Sequence, residues 1–153
     1  MKLNETIEFY IRTTSLALSR MYGSIASRYG ITQSIGYLLT YVEREGTPST
    51  KLARQLGMKN SSLTRLLKNM EANGCIYRKV DPKDKRVVRI FLTEKGVQKR
   101  KVAKETVLNF NKKILKKVNQ KDLETFFRVF DVIKEQVALE LNEQSNVEHV
   151  LQK

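Results

Sequence analysis

The chain has 153 residues, of which 41% are hydrophobic and 29% charged, the proportions of a globular protein rather than a disordered one. Its 29 Lys and Arg against 16 Asp and Glu give a net charge of +13, an excess that predicts a polyanionic partner, either nucleic acid or an acidic membrane surface. No apolar run approaches the ~20 residues needed to span a bilayer. Asn4, Glu5 and Glu8 interrupt any signal-peptide core. A single Cys rules out an internal disulfide and fits a reducing compartment. The expectation is one cytoplasmic domain over residues 1–153. Its charge is uneven: Arg78 to Lys117 holds fifteen basic and four acidic residues, whereas acids outnumber bases from Asn119 onward. The positive field therefore belongs to one region and is more than a solubilising surface.

In chain order, Leu3, Ile7, Tyr10, Ile11, Leu18, Met21, Tyr22, Ile25 and Tyr29 recur at steps of three and four, predicting a long amphipathic helix ended by Gly30. Thr32 is placed to cap a second helix through Ile35, Leu38, Leu39 and Val42, in which Gly36 costs ~1 kcal/mol relative to Ala. Gly46-Thr47-Pro48 reads as a turn with a very short strand. Ser49 or Thr50 then caps a short helix stopped by Gly57, and Asn60 caps another running to Asn73. Cys75–Val80 and Val87–Leu92 are strand-like, joined by the polar tip Asp81–Arg86. Thr93-Glu94 opens a helix continuing through Ala103, Val107, Phe110, Ile114 and Val118. A last helix from Lys121 carries an apolar face, Leu123 to Leu141, too broad for one neighbour to cover, and residues 143–153 read as a polar tail. The predicted fold is mainly α with a small β-hairpin: an α+β arrangement of two short helices, a turn and a hairpin, flanked by long helices.

Two features carry chemistry. A major groove admits one helix, and side chains near its N-terminus reach the base edges. Asn60, Ser61, Ser62, Thr64 and Arg65 supply short hydrogen-bonding groups and one guanidinium in the first two turns, with Lys59 just outside and Lys68 one turn on. That pattern also fits the solvent face of any capped helix. The hairpin separates the two readings. A plain turn favours Asn-Gly or Asp-Gly, but here Lys83, Asp84 and Arg86 crowd the tip. A projecting arginine can enter a minor groove. Asp84, two residues earlier, can hold its guanidinium, and Asp81 can brace the tip in the same way. A salt-bridged turn fits the same residues and is compatible with the reading role.

Leu52-Ala53 through Leu56-Gly57, Leu63-Thr64-Arg65, Gly74, Arg78, the DPKDKR tip and Leu92-Thr93-Glu94-Lys95-Gly96 together resemble the MarR family of bacterial regulators. That resemblance implies a winged helix-turn-helix at 31–96, dimerisation helices at 1–30 and 97–142, and a homodimer on a pseudo-palindromic operator. The family's Asp-x-Arg-Asp-x-Arg wing pattern falls on Asp81 to Arg86 with Lys83 at the first arginine position. Lysine keeps the charge but lacks the planar fork, so phosphate contact suits residue 83 better than a base edge. Arg86, oriented by Asp84, would be the minor-groove residue. The resemblance also implies repression relieved by a small lipophilic or aromatic effector. Arg12, Tyr22 and Tyr37 could line its pocket, although core or interface positions suit them better.

Cys75, directly after Gly74, reads as a small buried thiol rather than a redox sensor. His149 stands alone in the tail, so neither a metal site nor His-based catalysis assembles, and no cofactor is expected. An enzyme is therefore disfavoured. The alternative function is an architectural or RNA-binding protein that uses the same charge without sequence preference.

Overall fold

The computed structural model describes the backbone of residues 2–151 and the side chains of residues 2–144; His149 lies outside the described side chains. The elements are a 3-10 turn at Leu3–Glu5, α1 (Ile7–Ser27), α2 (Gln33–Tyr41), β1 (Thr47–Pro48), α3 (Ser49–Leu56), α4 (Asn60–Ala72), β2 (Ile76–Val80), β3 (Val88–Leu92), α5 (Glu94–Leu115) and α6 (Gln120–Leu151). Met1–Val107 and Leu108–Lys153 form two compact units.

The core of the first unit lies where α2, α3, α4 and the sheet converge. Leu38, Leu39, Leu52, Met70 and Ile90 are fully buried there, each contributing roughly 1.5–3 kcal/mol by leaving water. The antiparallel sheet has the order β1-β3-β2. β2 and β3 pair from Ile76↔Leu92 to Val80↔Val88, while β1 adds Thr47↔Ile90 and Pro48↔Arg89. The arrangement is the mainly helical fold with a hairpin wing that the sequence predicts.

Several boundaries differ from the sequence reading. The first α-helix begins at Ile7 rather than Leu3 because Thr6 adopts an extended backbone and its hydroxyl accepts the Phe9 amide, breaking the helix from the preceding turn. α3 starts directly after Pro48, whose fixed φ suits a helix entry, so neither Ser49 nor Thr50 caps it. α4 likewise has Lys59, not Asn60, at its N-cap, without a side-chain hydrogen bond. Val118 lies in the turn after α5, which ends at Leu115. α6 continues to Leu151, well past Asn142. Thr32 caps α2 as expected, accepting the Ile35 amide at 3.3 Å.

Two glycines are required by geometry. Gly57 ends α3 at φ +60°, a left-handed conformation that lets the chain turn into α4. Gly96, in the first turn of α5, lies so close to the Cys75 carbonyl that a Cβ would come within 2.0 Å of its oxygen. The backbone approach is fixed by Thr93, which donates to Gly74 O at 2.6 Å, accepts from Gly96 N at 3.1 Å, and sends its own amide to Cys75 O at 3.1 Å.

α6 forms most of the second unit. It exposes Phe126, Phe127, Val129, Val132, Val137, Leu139 and Leu141, while Leu123, Phe130 and Ile133 are half-buried. Such an apolar surface on one helix is unusual for a lone chain.

Candidate nucleic-acid interface

Helix α4 divides cleanly into two sides. Leu63, Leu67 and Met70 are buried, whereas Lys59, Asn60, Ser61, Ser62, Thr64, Arg65 and Lys68 are all exposed. Ser61, Thr64, Arg65 and Lys68 follow i, i+3, i+4, i+7 spacing, so they share one outward face. The Thr64 hydroxyl donates to Asn60 O at 2.8 Å, which leaves its lone pairs to accept from a partner. Because Lys59 provides no side-chain cap, the first amides of α4 keep their donor capacity, and the positive end of the helix faces outward beside a lysine. That combination suits a phosphate.

The wing tip is braced from below and free above. Asp81 is the buried anchor, with its side chain 9% exposed. One of its oxygens accepts the amides of Lys83 at 2.8 Å and Asp84 at 3.1 Å; the other takes the Nε of Arg89. These contacts pull the Asp81 pKa down to about 2, the Arg89 hydrogen bond contributing most and the two amides next. Arg89 also donates through Nη1 to Gly46 O at 2.9 Å, tying the wing to the turn before β1. Above this, Asp84 receives Arg86 through its amide at 3.0 Å, its Nε at 3.2 Å and its Nη2 at 3.3 Å. The guanidinium lowers the Asp84 pKa as well. The Arg86 side chain nevertheless stays 91% exposed: it is oriented but not covered. Lys83 is exposed beside it.

Two further contacts stiffen the unit. Arg78 on β2 meets Glu71 on α4 at 3.0 Å, linking the wing to that helix. Tyr77 and Phe91 stack with centroids 5.3 Å apart, and the Lys79 ammonium lies over both rings.

The cations singled out in the sequence, Lys59, Arg65, Lys68, Lys83 and Arg86, are all exposed, whereas the sequence reading takes Arg89 only as part of the strand Val87–Leu92 and not as a brace of the tip. Its partners are Asp81 and Gly46, eight and 43 residues away. The available signal was strand alternation, which puts Arg89 on the same strand as buried Ile90 and across from Lys79.

A second feature is a cleft of about 290 Å³ between α1, α2 and the first half of α5. Tyr22 and Tyr37 line it, but Arg12 does not: it lies one turn before Ser15, the first lining residue, and is solvent-exposed. The Tyr41 hydroxyl donates to that of Tyr37 at 2.9 Å, a bond that raises the Tyr41 pKa; burial raises that of Tyr22. Cys75 is buried just before β2. Among the described residues no group of three His, Cys, Asp or Glu could hold a metal, and no helix is long and apolar enough to cross a membrane.

The MarR family model matches residues 37–88, from α2 through the wing tip. The organic hydroperoxide resistance transcriptional regulator of Bacillus subtilis (strain 168) is 35% identical over 98 residues, covering 63% of this chain and 66% of that protein. The matched stretch is similar to the MarR family. A second relative, the HTH-type transcriptional regulator TtmR of Methylorubrum extorquens (strain PA1), is 34% identical over 96 residues, 61% of this chain and 49% of the regulator. The matched stretch thus spans less than two thirds of either relative. Among solved structures, the MepR–DNA complex of S. aureus superposes with a TM-score of 0.79 at 20% identity, over 86% of this chain and 98% of MepR. The MarR regulator of Oenococcus oeni PSU-1 gives 0.73 at 20% identity, over 85% and 99%. The MarR-family winged-helix fold therefore extends beyond the matched sequence motif.

Proposed function

We propose that this protein is a homodimeric transcriptional regulator that reads double-stranded DNA sequence-specifically, acting in the cytoplasm as a repressor on a pseudo-palindromic operator. The observation that carries this reading is the pairing of two exposed devices on one rigid frame. The N-terminal face of α4 offers Asn60, Ser61, Ser62, Thr64 and Arg65, and the wing presents an arginine that Asp84 aims without covering. The first suits base edges in a major groove, the second the negative potential of an adjacent minor groove. Lys59, Lys68 and Lys83 then contact phosphates, fixing register without reading sequence. Similarity to the MarR family supports the same conclusion.

Dimerisation rests on the exposed apolar face of α6, whose Phe126, Phe127, Val132 and Val137 a second copy would cover. Two reading helices related by a two-fold would then address half-sites about one turn of DNA apart, ~34 Å. The cleft lined by Tyr22 and Tyr37 is the effector site of this reading. It holds no charged lining residue among the described ones, so it suits an uncharged lipophilic or aromatic molecule that hydrogen-bonds to the tyrosine and threonine hydroxyls.

The decisive experiment titrates the protein against the DNA upstream of its own gene and against a scrambled duplex of equal composition, at two salt concentrations. A preference of about 10³ or more for the native fragment supports a sequence-reading regulator. Equal, salt-steep binding to both favours the second reading, an architectural protein that uses the basic residues of 78–117 without sequence preference.

A further inference from the structure

We infer that a recess at the far end of the reading helix binds a small amphipathic carboxylate. The recess has a volume of about 420 Å³, within the range of small-molecule sites. Its floor is apolar, formed by Ile31, Ile35, Met70 and Cys75, all buried. Lys95 and Lys99, one turn apart on α5, stand at its edge. Each ammonium donates to a backbone carbonyl at a helix end: Lys95 Nζ to Asn73 O at 2.8 Å and Lys99 Nζ to Tyr29 O at 2.6 Å. An ammonium has three donors, and each of these contacts uses one.

The charge balance of the recess points to the ligand. Two cations line it, and no carboxylate does among the described residues. Thr32, the N-cap of α2, also lines it and adds the positive end of a nine-residue helix. An anion is therefore favoured at the rim, and the apolar floor asks for a short hydrocarbon body behind it. Inorganic phosphate satisfies only the first demand and a neutral alcohol only the second. A carboxylate on a short chain satisfies both.

This site is separate from the cleft lined by Tyr22 and Tyr37, with which it shares only Ile31. It is also remote from the proposed DNA contacts. Asn73 follows Asn60 by thirteen residues along α4, about 20 Å at the helical rise, so the inference stands whether or not the chain reads DNA.

The test is a titration of the full chain with hexanoate, 1-hexanol and inorganic phosphate, followed through backbone amide shifts. Labelling of the single thiol, Cys75, reports independently on occupancy. Hexanoate should shift the Asn73, Cys75 and Lys99 amides saturably, bind about tenfold tighter than either control, and slow thiol labelling. Lys95→Gln with Lys99→Gln should reduce hexanoate to the level of hexanol and leave hexanol unchanged. Lys95→Arg with Lys99→Arg should keep the preference. Equal binding of hexanoate and hexanol overturns the inference. So does an unchanged affinity in the Gln pair, or a set of shifts centred on Gly36 and Tyr37 instead.

Discussion

Asp81 and Arg89, facing each other across the base of the wing, form the contact on which the tip is built. One carboxylate oxygen of Asp81 takes the guanidinium while the other gathers the amides of Lys83 and Asp84, and Arg89 reaches on to Gly46 O. Replacing Arg89 by Ala should therefore loosen the tip without touching Arg86. The expected result is a loss of about tenfold in DNA affinity with an unchanged oligomeric state, since the removed bonds are charge-assisted. Fluorescence anisotropy with operator DNA, beside sedimentation, checks it; wild-type affinity would show that the brace is not needed.

The same contact gives the wing a pH dependence of definite sign. Asp81 has its carboxyl lowered from 3.8 to about 2 by Arg89 and the two amides. A depressed carboxylate contributes stability that is present above its unfolded value and is lost as pH falls through the folded one. The wing should thus hold at pH 5 and loosen between about pH 4 and pH 2. An NMR titration of the Lys83 and Asp84 amides reads this directly, and Asp81→Asn should abolish the transition.

Arg65→Ala and Arg86→Ala should each cost about 1–3 kcal/mol in specific binding and relax discrimination at the contacted positions. Lys83→Ala should instead weaken all sequences alike and lower the salt slope by about one. Binding isotherms on operator and scrambled duplexes separate these outcomes. A sequence-independent loss for Arg86→Ala would remove it from the minor groove.

At Lys59 a trade between stability and binding should be measurable. This residue occupies the N-cap of α4 with an extended backbone, φ −64° and ψ 146°, yet forms no side-chain cap. Lys59→Ser should stabilise the protein by ~1 kcal/mol, as a capping hydroxyl does, while lowering affinity for DNA through loss of a phosphate contact. Denaturant melts and binding isotherms on the same variant test both halves.

Gly96→Ala should be severely disruptive for so small a change, because its Cβ would sit 2.0 Å from the Cys75 carbonyl oxygen. The clash is with backbone, which cannot rotate away, so a loss of roughly 3 kcal/mol is expected. Urea denaturation measures it. A near-neutral result would mean that α5 can retreat from the sheet at little cost.

What was legible in the sequence was mostly local. The Asp84–Arg86 pair lies two residues apart, Thr32 precedes an apolar period, and Gly57 and Gly74 follow one; each is a short-range signal, and each matches the structure. Arg89 escaped because its partners lie across a hairpin and on a distant turn. The capping of α4 was misplaced because Asn60 has the favoured side chain, whereas the actual entry is set by the turn leaving Gly57. Arg12 was grouped with Tyr22 and Tyr37 by chemistry alone; it shares the Tyr22 side of α1 but lies one turn before the first lining residue, Ser15. Where a cleft ends along a helix depends on the elements packed against it, and no local pattern in α1 marks that point.

The Thr93 junction has a mechanical consequence. Its hydroxyl bridges Gly74 O and Gly96 N, Lys95 grips Asn73 O, and Gly96 lies flush against Cys75, so the end of α4 and the start of α5 are joined without slack. The two helices work as a lever with its fulcrum at residues 73–96 and its working end at Asn60, about 20 Å away. A tilt of only about 5° at α5 then sweeps the reading end through roughly 2 Å, most of the length of a hydrogen bond. Small angular changes at the start of α5 would be amplified at the Asn60 end, so that on the proposed reading DNA affinity would be a steep function of that angle.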